Sequence, residues 1–127
     1  VHLGRRSLSV AQTRALVGSA VPVGISVHDS REALEARQDG ADYAFVGTLY
    51  PTPTHQGYAG GGPASLTEVA AVAKGLSLLG IGGVTPDRVS TVLHTGAHGV
   101  AVISGIWGTD DPARAVGEYL SVIGDLT

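Results

Sequence analysis

The sequence predicts an α/β fold on a parallel sheet, and more narrowly the last five units of a (β/α)8 TIM barrel. Three observations carry that prediction. Five short apolar runs alternate with five segments of helical spacing, in the order β-α-β-α-β-α-β-α-β-α. The runs are apolar at successive positions, as strands covered by helices on a parallel sheet are. Glycines and polar residues recur immediately after each run, where α/β folds place their ligands.

The elements follow in order. Val1 to Gly4 reads as the end of a first strand. Ser9 supplies an N-cap for a helix over Val10 to Val17 that stops at Gly18. The β-branched run Val21 to Val27 is a strand. Asp29 or Ser30 caps the next helix, whose apolar stripe is Ala33, Leu34 and Ala36 and whose end is Gly40. Ala41 to Gly47 is the third strand. After a long loop, Leu66 to Lys74 has helical spacing and stops at Gly75. Leu76 to Gly83 is a nearly continuous apolar strand. Thr85 as N-cap and Pro86 at the first helical position open a helix that closes on Gly96. His98 to Gly105 is a fifth strand, and a helix from about Pro112 to Ile123, capped by Asp110 or Asp111, ends the pattern.

An open doubly wound sheet competes with the barrel. A full barrel takes about 200 to 250 residues, and the chain has 127. A start in mid-element favours the barrel with its first three units missing, so residues 1–127 are expected to form one partial barrel domain and to be a fragment.

Composition narrows the function. Apolar residues make up 43% and charged residues 15%, a globular balance. The net charge of -3 gives no electrostatic footprint for nucleic acid or an anionic membrane. With no cysteine there are no disulfides, thiolate metal sites or cysteine nucleophile. No apolar run nears the roughly 18 residues of a membrane span, and no signal peptide is visible, so a cytoplasmic protein is expected.

The strand ends hold the candidate chemistry. Gly82-Gly83 precedes a helix N-terminus, and Ser104-Gly105 follows the fifth strand. Glycines let backbone N–H groups approach an anion, and loops after the last two strands form the phosphate cup of such barrels. The plainer reading is tight-turn glycines. In "GTLYPTPTHQG", Gly47 to Gly57, prolines stiffen a loop in which Thr52 and Thr54 lie two apart. In an extended segment they point the same way. Gly57, Gly60, Gly61 and Gly62 suggest a pliable, lid-like remainder. His55 in this loop and His28 after the second strand are candidate acid/base groups. His2 is expected as a packed strand residue, and Asp29 and Asp42 as cap and turn residues. His94 and His98 have metal-like i, i+4 spacing, but the helix breaks between them, so they are read as surface residues at the opposite rim and no metal site is expected.

The stretches "VHLG", "GISVHDSREALEARQDGADYAFVGTLYPTPTHQG", "GIGGVTPDRV" and "GAHGVAVISGIW" resemble, in order and over essentially the whole chain, the second half of the thiamine phosphate synthase family, which includes the TenI-type thiazole tautomerases. The resemblance implies a (β/α)8 barrel. It also implies pyrophosphate contacts from Ser26, Thr52 and Thr54, and a thiazole-phosphate cup from Gly82, Gly83, Ser104 and Gly105. Two synthase positions differ. His55 stands where synthases carry a lysine, and Arg5-Arg6-Ser7 where they read Gln-x-Asp with a magnesium-binding aspartate. Losing a carboxylate and gaining two cations makes a poor magnesium site.

The expectation is therefore a thiazole tautomerase in thiamine biosynthesis, an isomerase needing no cofactor. Its acid/base group would be His55 or His28, because Thr48 stands where a tautomerase form has its histidine. The alternative is thiamine phosphate synthase, a transferase using magnesium to join a pyrimidine diphosphate to the thiazole phosphate. A third reading is a non-catalytic binder of thiazole or thiamine phosphates. The implied partner is a small phosphorylated thiazole, and the family suggests a homodimer.

Overall fold

The computed structural model describes residues 1–126. Five strands, β1 (His2–Leu3), β2 (Gly24–Val27), β3 (Tyr43–Val46), β4 (Ser77–Ile81) and β5 (Gly99–Ala101), form one sheet in the order β1-β2-β3-β4-β5. Every neighbouring pair is parallel. That order decides between the two architectures. A doubly wound sheet reverses its strand order at a switch point, whereas this sheet advances one strand at a time, as a barrel wall does.

Among the described residues six helices follow the strands: α1 (Val10–Val17), α2 (Ser30–Gln38), α3 (Gly62–Val72), α4 (Pro86–Leu93), the short α5 (Ser104–Trp107) and α6 (Pro112–Leu126). Local sequence explains most boundaries. Ser9 and Gln12 make a reciprocal capping box at the start of α1, and Gly18 closes it with φ 74°. Asp29, not Ser30, caps α2, its carboxylate accepting from the Glu32 N–H at 2.8 Å. Asp111 does the same for α6, accepting from the Arg114 N–H.

Three expectations are corrected. α3 starts four residues before Leu66, because Pro63 is already shaped for a first helical turn. The fifth strand ends at Ala101, and Ser104-Gly105 begins α5 instead of closing a strand. In α2, Ala33 and Ala36 are buried but Leu34 stays 37% exposed, so the packed stripe is narrower than its apolar residues.

The core lies between the sheet and its helices. Val27, Val46 and Leu78 point from the strands toward Leu66, Val69, Val89 and Val92 on α3 and α4. Each such fully buried aliphatic side chain contributes about 1.5–3 kcal/mol. A smaller cluster of Leu3, Val10 and Val23 seats α1. The opposite sheet face alternates with the first, as strand geometry requires. It carries His2, Tyr43, Phe45, Leu79 and Ile81, which are less buried. No helix among the described residues is long and apolar enough to cross a membrane.

Candidate active site

A cavity of about 480 Å³ opens at the C-terminal ends of the strands. Its wall includes Ser26 and His28 after β2, Thr48, Thr52, Thr54 and His55 after β3, and Gly82, Gly83, Ser104 and Gly105 after β4 and β5. The ten residues singled out from the sequence therefore share one hollow.

The β4 and β5 loops form one wall. Gly82 and Gly83 have φ of 99° and 62°, in the left-handed region. A Cβ on Gly82 would strike Thr48, and one on Gly83 would strike Tyr50 and Pro51. The plainer reading of these glycines thus holds as far as it goes: loop packing alone demands them. A further property is not explained by packing. Among the described residues, no intramolecular acceptor pairs with the amide N–H groups of Gly82, Gly83, Ser104 or Gly105. Ser104 and Gly105 open α5, and the first N–H groups of a helix have no intrahelical partner; with Gly82 and Gly83 they leave four donors on residues that line one hollow, a pattern suited to an anion.

Two residues that sequence reasoning missed hold this wall in place. Arg88 donates from Nη1 to the Gly83 carbonyl at 2.7 Å and lies 4.4 Å over the Tyr50 ring. It therefore ties the β4 loop to the start of the β3 loop. Tyr119 on α6 donates its hydroxyl to the Val84 carbonyl at 2.7 Å and packs where a Gly105 side chain would project. Burial raises the Tyr119 pKa. The signal for Arg88 was an arginine in the first turn of α4, where a cation opposes the helix dipole. Tyr119 gave no local signal, since its partner is 35 residues away.

The β3 loop is not extended as expected. Thr52 to His55 is a turn closed by the His55 N–H on the Thr52 carbonyl at 3.1 Å. Pro53 suits the second position of such a turn. Nor is the glycine run slack. The Gly61 and Gly62 N–H groups donate to the Thr48 and Leu49 carbonyls, and Gly60 is pressed against the Leu49 carbonyl where no Cβ would fit. The glycines allow close approach; they do not form a free lid.

The two candidate histidines differ. His28 Nδ1 lies 3.0 Å from Glu32 Oε2, which also accepts the His28 backbone N–H at 2.8 Å. A carboxylate there fixes the proton on Nδ1 and leaves Nε2 to act as acid or base. His55 is exposed, and its ring has no hydrogen-bond partner among the described residues. Ser26 Oγ sits 2.9 Å from His2 Nε2, and the His2 ring packs 4.2 Å from Phe45. Burial lowers the His2 pKa. At the opposite end, His98 Nδ1 accepts the Leu78 N–H and His94 bonds within α4.

The cavity wall contains Arg5 and Arg88 but no aspartate or glutamate. No group of three or more His, Asp or Glu is gathered for a metal among the described residues. This donor set does not fit a magnesium ion, which needs carboxylate oxygens.

A family model described as thiamine monophosphate synthase matches residues 1–106. Thiamine-phosphate synthase of Natronomonas pharaonis is 44% identical over 117 residues, 91% of this chain and 55% of that protein. The Xanthomonas campestris pv. campestris (strain 8004) enzyme of the same name is 40% identical over 94% of this chain and 57% of its own length. Thiamine phosphate pyrophosphorylase from Pyrococcus furiosus superposes with a TM-score of 0.87 at 30% identity, covering 98% of this chain and 59% of that one. A 3-hexulose-6-phosphate synthase, at 19% identity and a TM-score of 0.73, shares the fold. The chain spans a little over half the length of the curated relatives it matches. These relatives are named as synthases, so they back the synthase alternative above the expected tautomerase. The chain belongs to the thiamine monophosphate synthase family.

Proposed function

We propose that this mouth is the phosphate-binding half of a thiamine-phosphate synthase site, joining a pyrimidine diphosphate to a thiazole phosphate with release of pyrophosphate. The observation that carries the reading is the set of four unpaired amides at Gly82, Gly83, Ser104 and Gly105, on residues that line the same hollow as Thr52 and Thr54. The amides suit the thiazole phosphate. Ser26, Thr52 and Thr54 offer hydroxyls to the diphosphate. Magnesium, which this activity implies, does not fit the carboxylate-free wall, and no step is routed through it. A homodimer belongs to the same proposal, and sedimentation would test it.

One observation favours a second reading. The His28–Glu32 pair is an oriented acid/base group, suited to moving a proton on a thiazole ring as a tautomerase does. A mass-spectrometric product assay separates the two. Thiamine phosphate formed from thiazole phosphate and pyrimidine diphosphate supports the synthase. Isomerised carboxythiazole phosphate, lost in His28→Ala, supports the tautomerase. A folded protein silent in both assays leaves the non-catalytic binder as the reading to test, by titration with thiazole phosphate.

A further inference from the structure

Arg5 follows β1 through Gly4 and lines the same cavity as Ser26, His28 and Thr54. Among the described residues its guanidinium has no hydrogen bond and no carboxylate within ion-pair range. The other arginine on the wall, Arg88, is committed to Gly83 and Tyr50. Arg5 is thus the uncommitted permanent cation of a hollow whose wall carries no acidic side chain; it also borders an adjoining hollow with Glu32, Glu35 and Asp39, none of them within ion-pair range of it.

Its place in the sheet matters. β1 and β4 are three ladder steps apart, and each step is about 4.8 Å. Arg5, at the β1 end, is therefore set apart from the glycine loops after β4 and β5, on a wall that also includes Ser26 and Thr54. An arginine fork matches phosphate oxygens in two parallel bonds and is always charged.

We propose that Arg5 forms a metal-independent diphosphate subsite at the β1 end of the mouth, doing with a fixed side-chain charge what a bound magnesium ion would otherwise do. This rests on the synthase reading for the identity of the organic diphosphate. The subsite itself is testable without it.

The probe is inorganic pyrophosphate, titrated calorimetrically into the full chain in EDTA and again with magnesium. Orthophosphate serves as the separate probe of the glycine wall. Wild type binds pyrophosphate in EDTA, and magnesium changes the affinity less than about threefold. Arg5→Ala weakens pyrophosphate at least about tenfold, the scale of one charge-assisted bond, and leaves orthophosphate binding unchanged. Arg5→Lys recovers part of the loss. Because Arg5 has no intramolecular partner, an unchanged unfolding midpoint is expected in both variants. Pyrophosphate binding that requires magnesium, that is absent in both buffers, or that survives Arg5→Ala overturns the proposal. The two readings fail separately. Metal-free, Arg5-dependent binding without thiamine phosphate formation removes the synthase reading alone. Thiamine phosphate formation abolished by EDTA removes the Arg5 subsite alone.

Discussion

The two ends of this sheet treat several of their polar groups oppositely. At the N-terminal rim they satisfy one another. Arg14 donates to the carbonyls of Gly18, Val21 and Gly40 and to Asp42 Oδ2 at 2.7 Å, and that same oxygen accepts the Val23 N–H. The Asp42 main chain also bridges β2 and β4, donating to Val23 and accepting from Ser77. At the mouth, four amides, the His55 ring and the Arg5 guanidinium have no intramolecular partner among the described residues. In a barrel the first end stabilises and the second binds. A rim that closes its own hydrogen bonds offers nothing to a ligand, whereas a mouth that leaves them open does.

Substitutions at the two ends should therefore separate stability from binding. The largest effect is expected from Gly82→Ala. A side chain at φ 99° directed at Thr48 costs about 2–4 kcal/mol and moves the amide wall. Thermal unfolding and orthophosphate titration should both register it, with affinity down more than about tenfold.

Asp42→Asn comes next and should act on stability alone, by about 1–2 kcal/mol after allowing for its exposure. Arg14 and the Val23 N–H hold the Asp42 carboxyl below the usual range. A depressed folded pKa stabilises fully above the unfolded value, about 3.9, and that stabilisation is lost as pH falls through the folded value. The gap between wild type and Asp42→Asn in denaturant titrations should be full at about pH 7 and shrink below about pH 4. A gap that widened in acid would refute the assignment.

Tyr119→Phe joins the two behaviours, since a buried hydroxyl props a loop of the mouth. Losing its bond to Val84 is expected to cost about 1 kcal/mol and to weaken orthophosphate a few-fold. His55→Ala should be smallest: its exposed ring supports nothing, so the midpoint should move by less than about 0.5 kcal/mol equivalent. A larger loss would mean that the Thr52–His55 turn depends on the ring.

What could be read in advance was what local chemistry dictates. Ser9, Asp29 and Thr85 each took the N-cap position expected of them, although the Thr85 hydroxyl does not cap. The five apolar runs became five parallel strands, and the residues after them share the cavity. The runs overshot the strands because flanking apolar residues such as Val23 and Leu76 pack in the core without joining the ladder. What could not be read depends on how the loops at the mouth fold, one contact spanning 35 residues and two spanning five or fewer. Arg88 on Gly83, Tyr119 on Val84, and Glu32 on His28 need the loops in place before their meaning appears. Extended geometry for Thr52 and Thr54 failed for a local reason, since Thr-Pro-Thr-His closes a turn as readily as it spans a gap.

The most direct test of the central claim is a proton–nitrogen NMR titration with inorganic phosphate. The account predicts saturable shifts at the Gly82, Gly83, Ser104 and Gly105 amides, with the Val23 and Asp42 amides of the opposite rim unmoved. Shifts confined to other residues, or none at millimolar phosphate, would contradict it.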